Sequence, residues 1–203
     1  MRVITKLIRQ LFIIFIFTLL TGCSIFSPVK TDYTTYVINT MPDVVRKSSR
    51  SHKTLYVSPV TAEPLFATDE MAYTASPYQV EYFAKNRWAE DPAKMLQPLV
   101  VRTLQKTHHF HAVTFTSGPI RYDYILNVHL LKLIQVFRAN SSYEVATIYA
   151  EIVNAKTGRI IAAKEITTEQ TAYCRTPFSG VIAANKAVAI TLQKLARFCL
   201  KVM

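Results

Sequence analysis

Hydrophobic and polar positions along residues 31–203 fall into two periods, one of two residues and one close to 3.6. In the second half, Tyr124, Leu126, Val128 and Leu130 alternate with Ile125, Asn127 and His129, which predicts a long strand reaching about Phe137. Tyr143 to Val153 repeats the pattern, with Ala146, Ile148, Ala150 and Ile152 on one face. Asn154-Ala-Lys-Thr-Gly158 predicts a tight turn with the glycine at positive φ, and Arg159 to Thr168 returns as the partner strand. Earlier segments are shorter. Tyr33–Ile38 and Thr54–Ser58, the latter closed by Pro59, are rich in β-branched and aromatic residues and predict strands. A hairpin is predicted from Glu70–Thr74 and Gln79–Phe83, turning through Ala75–Tyr78. Ala112–Thr116 is a further short strand before the Gly118-Pro119 break.

The helical period occurs twice. Asp91 is a good N-cap and Pro92 a good first helical residue, followed by an apolar face of Met95, Leu99, Val100, Val101 and Leu104. Pro98 inside that pattern is expected to kink the helix or delay its regular start. His108-His-Phe-His111 is expected to end it. Ser179 opens a second helix, to about residue 200, whose Ile182, Val188, Leu192, Leu195 and Cys199 share a face. No repeat or linker divides this part. The expected fold is therefore one α/β (α+β) domain over residues 31–203, an antiparallel-rich sheet with two helices packed on it.

The first 30 residues differ from the rest. Arg2, Lys6 and Arg9 precede ten residues, Leu11–Leu20, that are apolar but for one hydroxyl. That is too short for a permanent span, which needs roughly 20 residues. The basic, apolar, small-residue order is that of a secretory signal over residues 1–22. It closes on Leu20-Thr21-Gly22-Cys23, which matches the bacterial lipobox. There Gly22 leaves room for the peptidase, and the Cys23 thiol is the nucleophile that takes diacylglycerol. An ordinary secretory cleavage with Cys23 incidental is the alternative. Ser24, rather than aspartate, follows the cysteine, and by resemblance to enteric lipoproteins this directs the chain to the periplasmic face of the outer membrane rather than the inner membrane. Residues 23–30 form a tether too short to span the periplasm.

Charge changes the picture in one respect. Three of the 24 Lys and Arg, and none of the 13 Asp and Glu, lie in the signal, leaving the other 181 residues at +8. Export argues against nucleic acid, so anionic head groups or an acidic protein are the candidate partners, with a solvated basic surface as the alternative. The basic segment 46–53 is open to either reading. Cys174 and Cys199 sit before and near the end of a predicted helix about 30 Å long. Since a disulfide needs Cα atoms within about 7 Å, they are expected to be unpaired thiols, an inter-chain bond being the alternative.

A search for chemistry is mostly negative. Four glycines form no phosphate loop, and neither a G-x-S-x-G elbow nor an H-E-x-x-H helix occurs. His108, His109 and His111 lack a nearby Cys or carboxylate to complete a metal shell, and histidines there also suit a helix C-terminus. Glu81, Glu90, Asp91 and Glu151 fix no acid–base pair. No catalytic residue, metal or cofactor is expected. Trp88 stands among Tyr73, Tyr78, Tyr82 and Phe83. It closes the core between hairpin and helix, or, with Tyr78, Tyr82 and Phe83, forms a partner-docking patch.

The order of these features, from the lipobox through Met71-Ala-Tyr73, Tyr82-Phe-Ala-Lys-Asn-Arg-Trp-Ala89 and a long helix to Lys156-Thr-Gly158, resembles the ABC-type transport auxiliary lipoprotein family over most of residues 30–200. Trp88-Ala89 runs into Glu90-Asp-Pro92 here, whereas the family more often places Pro-Leu directly after Trp-Ala. The resemblance implies a non-enzymatic accessory subunit of a phospholipid transporter. Its implied partners are an ABC permease and ATPase and a mammalian-cell-entry (MCE) domain protein spanning the periplasm, with a ring of identical subunits as the implied assembly. An assembly or pilot lipoprotein of a secretion machine is the alternative, and a lipid-anchored hydrolase the remote one.

Overall fold

The computed structural model describes Ile4, residues 32–43 and residues 50–203. The signal (1–22), Cys23 with its tether (23–30), and the first half of the basic segment 46–53 lie outside these residues. From Tyr33 onward the chain forms one compact unit, an α+β domain with a mixed, curled sheet of nine strands and two helices among the described residues. The order is β1 (Thr34–Tyr36), β2 (Thr54–Val57), β3 (Thr61–Ala62), a 3-10 turn (Pro64–Phe66), β4 (Glu70–Thr74), β5 (Glu81–Trp88), α1 (Pro92–Lys106), β6 (Ala112–Thr114), β7 (Tyr124–Phe137), β8 (Ser142–Asn154), β9 (Ile160–Ala172) and α2 (Pro177–Val202).

The frame is the antiparallel meander β7–β8–β9, paired along nearly its whole length. The alternation in β7 is not uniform, and the reason is a bulge. Leu130 faces Ile148 and Lys132 faces Thr147, so Leu131 is the extra residue. Before it, Leu126, Val128 and Leu130 are buried on the helix side. After it the odd positions Leu133 and Gln135 take that side, opposite Ala146 and Glu144. The β8–β9 turn carries Gly158 at φ 69°, and Asn154 Oδ1 accepts from the backbone N–H of Lys156 and Thr157 at 3.0 Å each.

Helix α2 crosses the inner face of β8 and β9. Its N-terminal half contacts the sheet through Gly180, Ala183, Ala184 and Ala187, small residues that bring the backbones close, and its second half through Val188, Leu192, Leu195 and Cys199. Ile182, expected on that face, is only half buried. The other edge of β7 is shared end to end by β2, β3 and β4, each parallel to it. β6 extends the sheet beyond β2, and β5 and β1 extend it beyond β4. The antiparallel-rich expectation thus describes the long pairs, while the short strands add parallel ones.

Several local expectations change. The second hairpin strand begins at Glu81 rather than Gln79 and continues to Trp88, because β1 pairs with its far end. Pro98 does not interrupt α1, which runs unbroken from Pro92 to Lys106. Its ring lies on the solvent side, so the missing N–H deprives only an exposed turn of a bond. At the C-terminus of α1, Thr107 Oγ1 donates to the Leu104 carbonyl at 2.6 Å.

Candidate functional site

The β4–β5 hairpin folds over the outer face of the β7–β8–β9 meander and leaves a cleft of about 980 Å³ beneath it. Its floor is Ile134, Val136, Val145 and Thr147, residues that the Leu131 bulge and the β8 alternation turn away from α2. Leu65 and Phe66 close one wall, and Pro77–Val80 of the hairpin tip overhang it. Glu63, Glu165 and Glu169 make the rim acidic, with Lys132 as a cation among them. The cleft therefore combines an apolar floor with a charged mouth, a make-up common in binding surfaces.

The hairpin is held rigidly. Tyr73 stacks on Phe83 with centroids 4.5 Å apart, and both meet the edge of Phe137. The Tyr73 hydroxyl donates to Glu81 at 2.7 Å, and that bond, more than burial, raises its pKa. The Tyr82 hydroxyl donates to the Leu65 carbonyl at 3.1 Å, which ties the hairpin to the cleft wall. Arg87 bridges Asp69 at 2.9 Å and Glu70 at 3.6 Å and lies over the Tyr33 ring, so β5 is clamped to both neighbours.

The four aromatic residues proposed for docking occupy different environments. Trp88 is 5 % exposed and belongs to the core where β5 turns into α1, the place expected of a core-closing residue. Tyr82 and Phe83 are half buried in the contacts just given. Tyr78 is fully exposed at the hairpin tip, with φ of 65°. Asp91 caps α1 by accepting from Ala93 N–H at 2.8 Å. Glu90 holds Lys94 at 3.0 Å, a bond that lowers its own pKa, and Glu151 accepts from Asn127.

Among the described residues no three His, Cys, Asp or Glu side chains converge to hold a metal ion. His108 and His111 are exposed and His109 is buried, so the histidine run is split between surface and interior. Cys174 is exposed and Cys199 buried, both unpaired. Burial pushes the Cys199 thiol up to about 12 and leaves it chemically inert. Thr61, His129 and Glu63 form a hydrogen-bonded line, 2.7 Å and 3.2 Å, that pins the two-residue β3 opposite its register partner on β7.

Sequence reasoning passed over Glu144. It is 3 % exposed, on the α2 side of β8, between Gln135 of β7 and Gln170 of β9 in register, and desolvation raises its pKa well above the ordinary value. Its place in the even-numbered phase of Ala146, Ile148 and Ala150 was a visible signal.

The architecture defines a small α+β domain. The chain belongs to the family described as the ABC-type transport auxiliary lipoprotein component, whose sequence model matches residues 36–196. Its fold is similar to that of protein XCC0632 from Xanthomonas campestris (17% identity, 83% of this chain and 95% of that chain, TM-score 0.75). It is also similar to an uncharacterized protein of known structure (16% identity, 83% and 99% covered, TM-score 0.66). No curated protein matches the chain.

Proposed function

We propose that this chain is the lipid-anchored accessory subunit of an ABC/MCE-type phospholipid transport system, acting by binding and tethering. The observation that carries the reading is the family match across residues 36–196 in a chain that opens with a secretory pattern and Leu20-Thr-Gly-Cys23. On this reading residues 1–22 are removed, Cys23 carries the acyl groups, and residues 23–30 tether the domain to the periplasmic face of the outer membrane. More than one acyl chain makes such an anchor stable, since one alone is marginal.

The permease and ATPase supply the energy, and the MCE-domain protein is the direct partner, docked by one subunit or a ring of them. The hairpin tip at Tyr78 and the acidic-rimmed cleft beneath it are the surface offered to that partner. Tyr82 and Phe83 hold the tip in place and Trp88 supports it from the core.

The test is a crosslinking pull-down of the intact chain from detergent-solubilised envelope, with the captured proteins identified by mass spectrometry. An MCE-domain protein in the eluate is the expected result. Subunits of a secretion machine without any MCE protein would overturn the transport reading in favour of a pilot lipoprotein.

A further inference from the structure

Around the start of α2 lies a surface rich in exposed aromatic side chains. Phe178, at the second position of the helix, is 59 % exposed and its ring lies 6.1 Å from that of Tyr36 on β1. Tyr33 and Val37 flank β1 and are also exposed. Asn185 stitches this segment to the helix, donating to the Val37 carbonyl at 3.0 Å and accepting from the Asn39 backbone at 3.0 Å. On the other side of the helix start, Tyr173 is 80 % exposed with the Lys186 ammonium 5.0 Å from its ring centroid. Across this surface, the Tyr36–Phe178 ring contact and the Asn185 hydrogen bonds join β1 to the first turns of α2, and the Tyr173–Lys186 contact joins the residues before the helix to the same turns.

Two features say what covers it. The first is chemical composition. Aromatic rings with polar tips, an apolar Phe and Val, and the cations Arg175 and Lys186 are the mixture that suits the head-group layer of a bilayer, apolar body inward and charge at the phosphate level. Neither cation forms an ion pair with a described residue; Arg175 donates to the Ala139 carbonyl and lies 5.5 Å from the Phe137 ring centroid, and Lys186 donates to the Tyr173 hydroxyl. Both charges are therefore available to anionic lipid. The second feature is chain length. Tyr33 stands ten residues after Cys23, a span of at most about 36 Å when fully extended. The patch adjoins the point where the chain departs toward its anchor.

We propose that this patch rests on the lipid head groups of the membrane that holds the anchor, fixing the orientation of the domain and leaving the hairpin and cleft free for the protein partner. The inference builds on the anchor reading above and adds a membrane-facing side to it.

The experiment uses the intact lipidated protein reconstituted in vesicles of phosphatidylethanolamine and phosphatidylglycerol with brominated acyl chains. Tryptophan fluorescence is compared between Phe178→Trp and Ile161→Trp, each against the unaltered chain, whose Trp88 is buried. Ile161 is exposed near the β8–β9 turn, at the other end of the meander from α2's start. The expected result is bromine quenching several-fold stronger for Phe178→Trp. Equal quenching of the two, or stronger quenching at Ile161→Trp, overturns the orientation. The intact mass is read first: a chain without acyl groups on Cys23 overturns the anchor reading itself, whereas an acylated chain with no preference overturns only the patch.

Discussion

A methyl group added to Gly180 would occupy the space of the Gln135 side-chain amide. The helix passes over β7 so closely there that only a hydrogen fits. Gln135 has little freedom to withdraw, because its Nε2 donates to Ser142 Oγ at 3.0 Å and to the Thr176 carbonyl at 3.3 Å. Ser142 in turn donates to the Cys174 carbonyl, so one buried amide joins β7, β8 and the link into α2.

Gly180→Ala should therefore destabilise the domain by about 1–3 kcal/mol, the usual cost of overpacking. Urea denaturation measures it. In a Gln135→Ala background the same change should cost clearly less. An equal cost in both backgrounds would mean that helix backbone, not Gln135, sets the clearance.

Glu144 should make stability depend on pH. Its carboxyl is held above the ordinary value of 4.5 by burial. The unfolded chain then ionises near 4.5 while the folded chain keeps its proton, so the folded state binds more protons over the window above that value. Stability from this group is fully present below the unfolded value and is lost as pH rises through the folded one. Relative to the unaltered protein, Glu144→Gln should gain stability as pH rises above the unfolded value of 4.5. A difference that stays constant across parallel urea titrations would contradict this.

Asp91→Ala should cost about 1 kcal/mol, because it removes the acceptor for Ala93 N–H at the start of α1. Asp91→Asn should recover most of that loss, since an amide oxygen also caps. Thermal melts of the three proteins decide the matter.

Cys23→Ser should leave a folded domain that fractionates with soluble periplasmic protein and no longer supports function. Membrane fractionation together with a transport-dependent growth assay reads both halves. Retained function in the soluble variant would sink the tethering reading.

Those four positions were not equally legible in the sequence. Asp91-Pro92 announces its helix because capping is local chemistry, and the β7–β9 meander is visible because each strand repeats its period many times. β3 is two residues long and has no period to read; only its ladder with His129 defines it. The parallel pairings of β2, β3 and β4 with β7 join residues far apart in the chain, so alternation could suggest the strands but not their neighbours. The cleft is drawn from Glu63 through Glu169 and exists only once the hairpin has folded over the sheet. Trp88 could be placed at the hairpin–helix junction, yet its register opposite Tyr36 of β1 joins residues far apart in the chain.

Leu131 gives β7 two addresses. Up to Leu130 the strand shows its even residues to α2, and beyond it the odd ones, which is how Ile134 and Val136 come to floor the cleft while Gln135 reaches Gly180. The information at that point is a count rather than a side chain. Many residues could stand at 131, but a deletion there would exchange the domain's interior with its binding surface along the last turn of the strand. Sequences that keep this fold can vary the letter at that position far more readily than they can drop it.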